Sequence, residues 1–306
     1  MCLKNFTAIL FFNCFTTVAF TQTSQEAAFK LLKTDILKLK NNTIPFSFNS
    51  WADLKTSINN IKQDSLSTKE IDYLYPVFQA GVNSQNSMVR QIAAEIWCRC
   101  IGENSILTNN AVTKLQQFKQ TDFTDSAKFY LKMGLNNATN NIGSIAKLTA
   151  FVCGNTCIED LQNVVLKQNI SKFDKKDIKL ALLRAGEIHN EQRLIQSAKE
   201  QVVNDNFVYN LVDDLTYTHN KLIFDYLLEI IMREDKNCTS ANNDNPEPMN
   251  CAYRLIEKIA PFINDFPAKV NAYNELETKN YIALLKSVRE WITKNKNTYT
   301  LNQNNY

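Results

Sequence analysis

Six cysteines follow the first twenty-one residues of this chain: Cys98, Cys100, Cys153, Cys157, Cys238 and Cys251. Their spacing could support disulfide, metal or thiol chemistry. Cys-x-Cys and Cys-x3-Cys do not match the usual zinc spacings, and an even count in an exported chain favours disulfides. Cys238 and Cys251 bracket Thr-Ser-Ala-Asn-Asn-Asp-Asn-Pro-Glu-Pro-Met-Asn, a turn-forming stretch with little reason of its own to be ordered. A bridge across it is expected, contributing about 3 kcal/mol in the chain-entropy account. Asp235, Asp244 and Glu247 nearby lack the alternating spacing of a calcium loop. Cys153-Gly154-Asn155-Thr156-Cys157 reads as a helix-to-helix corner where Gly154 frees the backbone for a local bridge. The alternative pairs Cys100 with Cys153 and Cys98 with Cys157. It rests on Cys100 lying 19 residues after Gly81 and Cys153 lying 19 after Gly134.

The other chemistry-bearing residues are sparse. His189 and His219 are the only histidines, each set among polar residues near an expected helix boundary. Neither belongs to a nucleophile motif, and no Gly-x-Ser-x-Gly, phosphate loop or dinucleotide fingerprint occurs. Acid pairs such as Asp213 with Asp214, or Glu26 with Asp35, are common on helices and mark no acid/base pair. Asp225, Glu229 and Arg233 step by four along the apolar run Leu222 to Met232, as the solvent stripe of a nearly buried helix. Trp51, Trp97 and Trp291 lie on apolar faces and read as core. No catalytic residue, metal or cofactor is expected.

The compartment follows from residues 1–21. Lys4 supplies a positive start, and Phe6 to Phe20 form an uncharged apolar run that leads to cleavage near residues 19–22, as in a secretory signal. Asn13, Thr16 and Thr17 make that run too short and polar for a membrane span. The mature chain is therefore expected to be exported, periplasmic or secreted, with no integral span. Removing Lys4 takes the formal charge from +3 to +2, far from the basic excess of a nucleic-acid binder. Lys and Arg interleave with Asp and Glu throughout, the pattern of a solvated helical surface.

Positioning these residues falls to helices. All six prolines lie towards the ends (Pro45, Pro76, Pro246, Pro248, Pro261, Pro267), and Val77 to Asn245 holds none. Proline breaks helix interiors, so a long helical series is permitted there. Val89, Ile92, Ala93, Ile96 and Cys100 form one stripe at helical spacing; Ile178, Ala181, Leu182 and Ala185 form another. No alternating run suggests a sheet. Capping pairs are expected at Ser50 with Asp53, Ser67 with Glu70 and Thr156 with Glu159. The periodicity predicts helices over 24–40, 51–63, 68–80, 87–101, 109–119, 124–134, 140–153, 157–168, 173–185, 190–204, 206–217, 219–233, 251–263 and 278–294. One all-α domain is expected over 22–296, with a bridged loop at 238–251 and a polar disordered tail over 297–306.

Gly81, Gly134 and Gly186 each close a helical stripe, 53 and 52 residues apart, which predicts three-helix modules ended by glycine. Met88-Val89-Arg90-Gln91-Ile92-Ala93-Ala94-Glu95-Ile96 resembles the second helix of a HEAT-type repeat. Ile145-Ala146-Lys147 and Arg193-Leu194-Ile195 echo it faintly. The resemblance covers nine residues and implies a right-handed stack of antiparallel helices, a HEAT- or armadillo-like α-solenoid. An irregular helical bundle is the alternative. It implies no activity. The expected function is a non-enzymatic module or scaffold that binds a protein or peptide outside the cytosol. The alternatives are an α-helical enzyme acting on an extracytoplasmic polymer and a structural envelope component. Nucleic acid is not an expected partner.

Overall fold

The computed structural model describes residues 56, 78–79, 81–103, 108–167, 169–187, 190–240, 247–271, 273 and 275–306. The signal segment, the helix expected over 24–40, that over 51–63 apart from Thr56, all but the end of that over 68–80, the caps at Ser50 and Ser67, Trp51 and His189 lie outside them. The architecture is all-α. Among the described residues no strand occurs, only isolated bridges that pair Cys238 with Met249, Ile263 with Leu301 and Val270 with Leu276. The helices are α1 (Ser87–Gly102), α2 (Thr108–Leu115), α3 (Asp125–Asn137), α4 (Ile142–Cys153), α5 (Ile158–Val165), α6 (Lys172–Arg184), α7 (Glu191–Lys199), α8 (Asp205–Asn210), α9 (Val212–Tyr217), α10 (Lys221–Ile231), α11 (Ala252–Ile259) and α12 (Tyr281–Asn295). The single helix expected over 206–217 is two, meeting at Leu211. No helix of the described residues is long and apolar enough to cross a membrane.

The chain divides after Asn137 into two compact units, where one domain over 22–296 was expected. In the first, α1 packs chiefly on α3. The alanine pair of the HEAT-like segment, Ala93 and Ala94, is fully buried there with Trp97. Arg90 donates from Nε to the buried Asp122 carboxylate at 2.9 Å and from Nη1 to the Ser84 carbonyl at 2.8 Å. In the second unit α4 packs chiefly on α6. A continuous apolar core from Leu183 to Tyr299 joins α8 to α12 and buries most of α10.

Asparagine does most of the observed capping. Asn86, Asn204, Asn220 and Asn280 each accept a backbone N–H of the following first turn through Oδ1, satisfying donors that a helix start leaves open. At the box expected with Thr156 and Glu159, Thr156 Oγ1 donates back to the Cys153 carbonyl at 2.8 Å. The three glycines also divide. Gly186 is the expected left-handed terminator (φ +100°): its N–H donates to Leu183 while Glu187 N–H reaches Leu182, the paired bonds of a Schellman end. Gly134 terminates nothing. It lies inside α3, where a Cβ would stand 2.6 Å from Ile101 Cγ2 and 2.8 Å from the Ile101 carbonyl oxygen; at Gly81 a Cβ would meet Ala93 Cβ at 2.2 Å. Those two glycines are places where one helix lies hard against another.

One disulfide closes, Cys238–Cys251, with its Cα atoms 5.1 Å apart. The loop base is also tied by backbone bonds between Cys238 and Met249 and from Cys251 N–H to the Asp235 carbonyl. Cys98, Cys100, Cys153 and Cys157 are buried and outside any disulfide, so neither the corner bridge nor the alternative pairing is formed. The Cys157 thiol points back at the helix end, 3.1 Å from the Gly154 carbonyl. The tail over 297–306, expected to be disordered, is packed. Tyr299 is buried and donates from Oη to Asp225 Oδ1 at 2.8 Å. Asn264 N–H reaches the Thr300 carbonyl, and Asn302 N–H the Phe262 carbonyl. Tyr299 brings both apolar burial and a polar handle, and Asn305 adds a bond from Nδ2 to the Pro261 carbonyl.

Candidate binding site

Helix α6 sorts its charges by face. Ser171 caps it, accepting from Asp174 N–H at 3.0 Å. Asp174 Oδ1 in turn accepts from Gly143 N–H at 2.9 Å, in the first turn of α4. Asp177 faces the same way: a Cβ on Gly143 would lie 2.8 Å from the Asp177 Cβ. Burial pushes the Asp177 carboxyl up, and the Lys147 cation opposes this. The acids of α6 thus serve its packing on α4.

Its lysines face elsewhere. Lys172, Lys175, Lys176 and Lys179 fall at helical spacings of three and four, which places them side by side. With Arg193 of α7 they line a cavity of about 460 Å³ between α6 and α7. Leu180, Leu183 and Leu194 form its apolar floor, Asn190 completes the lining, and no Asp or Glu contributes. Lys176 is engaged by Asp214. Among the described residues, the side chains of Lys172, Lys175, Lys179 and Arg193 make no ion pair or hydrogen bond.

That arrangement opposes the local electrostatics of the helix. A helix N-terminus carries partial positive charge and favours acids, so cations in the first turn are mildly unfavourable. Lys172 and Lys175 sit there, next to three further cations. Four of these cations have no ion pair among the described residues, and around a low-dielectric floor they focus a positive potential into the cavity. Such a site attracts an anion and offers apolar contact beneath it.

A second cavity of about 480 Å³ differs in kind. It mixes Glu234 and Glu290 with Lys286 and Arg289. Arg289 is committed to the carbonyls of Ile231 and Arg233 and to Glu234. The cavity therefore carries both signs of charge, with Arg289 and Glu234 already paired to each other.

The C-terminal end of α6 carries the densest polar and aromatic cluster. Arg184 donates from Nη1 to the Tyr217 carbonyl at 2.8 Å and from Nη2 to the Asn305 carbonyl at 2.6 Å. Its guanidinium lies over the Phe151 and Tyr217 rings at 4.9 and 5.0 Å. Tyr306 packs against both rings, and Tyr217 Oη donates to the Lys147 carbonyl at 2.7 Å. Burial, with Tyr306 beside it, pushes the Tyr217 phenol up. His219, in a left-handed turn (φ 47°), is walled in by the edges of Phe262 and Phe224. Neither ring nitrogen has a hydrogen-bond partner. Burial, aided by the Arg184 cation, lowers its pKa to about 3. A neutral, enclosed imidazole of this kind is a packing group.

The remaining sequence candidates lie apart from the basic cavity. Asp213 pairs with Lys258, Asp225 with Lys221, and Glu229 with Arg233. Trp97 is core, as expected, whereas Trp291 is half-buried against Phe266. Among the described residues no three His, Cys, Asp or Glu side chains converge to hold a metal. The lysine stripe is hidden in linear order because Asp174 and Asp177 interleave with the lysines along the chain. Counting charge by helical face, in place of linear order, would have exposed it. No family model matches this chain, and neither does any curated protein or solved structure.

Proposed function

We propose that this chain is an exported helical-repeat module that binds a protein or peptide partner, with the basic cavity between α6 and α7 as its recognition surface. The carrying observation is four cationic side chains without a partner among the described residues, set over a leucine floor, two of them in a helix turn that disfavours cations. Folding gains nothing from that placement; an anionic partner does. The HEAT-like reading is supported by helices packing on the next helix but one, α1 on α3 and α4 on α6, each within its own unit. The closed disulfide is compatible with an oxidising compartment outside the cytosol.

The test is photo-crosslinking in the native host. Phe173, 83% exposed on α6, is replaced by a benzophenone-bearing phenylalanine analogue, and the adducts are identified by mass spectrometry. One reproducible, near-stoichiometric protein adduct is expected, and it should disappear in a Lys172→Glu/Lys175→Glu background. Absence of any protein adduct would sink the binding-module reading.

A further inference from the structure

Resting on that reading, we infer that the occupant of the α6–α7 cavity is an acidic amphipathic segment of a protein, presenting carboxylates at helical spacing with apolar side chains between them. Three features of the cavity select this chemistry. The first is charge: the five cations lining it meet no lining carboxylate, so an occupant with the opposite sign gains from every approach. The second is spacing. Lys172, Lys175 and Lys179 stand three and four residues apart on one helix, so their ammonium groups form a row. A facing segment with Glu or Asp at the same intervals places one carboxylate opposite each cation.

The third is the floor. Leu180, Leu183 and Leu194 offer apolar surface that a free phosphate or a hydrated polysaccharide does not use. A segment with its own leucine or isoleucine between the acids buries that surface. The cavity also holds more than a small anion: about 460 Å³ accommodates several side chains. Nucleic acid is disfavoured by the lining itself. It contains no aromatic ring on which a base could stack.

The experiment is fluorescence anisotropy on the full exported chain with labelled synthetic probes. The main probe is a helical peptide of Glu and Leu with acids at intervals of three and four. Its comparisons are a polyglutamate of equal charge, a Lys/Leu peptide of the same pattern, a sulfated oligosaccharide and inorganic phosphate. The Glu/Leu peptide is expected to bind at least tenfold more tightly than any of them, with affinity falling as salt rises. Lys172→Glu/Lys175→Glu is expected to weaken it at least tenfold. That variant improves the charge at the helix N-terminus, so it remains folded by circular dichroism. Leu194→Ser, which removes part of the floor while retaining every charge, is expected to weaken it severalfold.

Equal binding of polyglutamate would overturn the amphipathic requirement, and tighter binding of the sulfated oligosaccharide would overturn the peptide assignment. No binding of the Glu/Leu peptide would overturn the inference outright. A crosslinked partner at position 173 whose contacting segment is basic or neutral would overturn it too, yet leave the binding-module reading standing. Loss of all crosslinks removes both.

Discussion

The two ends of α6 carry cations under opposite conditions. At the N-terminal end, Lys172 and Lys175 face the positive pole of the helix and find no partner within the described fold. At the C-terminal end, Arg184 faces the negative pole, donates to two carbonyls and lies over two aromatic rings. A cation there complements the dipole, and each guanidinium face and fork is occupied. One helix thus holds a charge that the fold needs beside charges that it leaves available. The contrast separates a structural polar cluster from a candidate binding surface more surely than residue type does, since all are basic.

The largest effect expected from this contrast is a pH dependence at the structural end. His219 has a pKa of about 3 in the fold against 6.5 for the ordinary group. Between those values the unfolded chain takes up a proton that the folded chain refuses. Stability from this group is therefore complete above pH 6.5 and falls as the pH drops towards 3, by on the order of 5 kcal/mol across the interval. His219→Asn tolerates the left-handed backbone and cannot take that proton. Denaturant melts of both proteins between pH 7 and 4 should show a shallower loss in the variant. Parallel pH curves would remove His219 from the account.

Next in size, Arg184→Ala leaves two part-buried carbonyls short of a donor and two rings without their cation. It should cost about 3 kcal/mol in thermal or urea melts at pH 7. Arg184→Lys should recover only part of this, because an ammonium cannot reproduce the planar fork. If full stability returned with Lys, charge alone would be the requirement.

The smallest effect has the opposite sign. Lys172→Glu/Lys175→Glu should raise stability by about 0.5 to 1 kcal/mol at low salt, because acids suit the first turn and lysine crowding is relieved. The gain should shrink as salt is added. A loss instead would mean that these lysines have a structural partner, and the comparison between the ends of α6 would collapse.

Some of this was legible from residue order. Local signals identified the helical class: the proline-free stretch, the stripes at Val89 to Cys100 and Ile178 to Ala185, and helix positions that shift by only a few residues over most of the described chain. Cys238 and Cys251 were readable for the same reason, since a short turn-rich loop brings its own ends together. The candidate site was not. The lysines of α6 were counted as solvated surface, because the cavity exists only where α6 turns back against α7.

What the sequence by itself determined is therefore the short-range part: helices and a disulfide across a local loop. These depend on dihedral preferences and spacings within a few residues. Only the tertiary structure decided which glycine terminates and which admits a neighbouring helix, as Gly134 admits Ile101. It also decided that Cys153 and Cys157 form no disulfide, that Tyr299 anchors the last residues on Asp225, and that five cations surround a leucine floor. Each of those outcomes is a meeting of groups brought together by packing, and no spacing along the chain encodes the meeting.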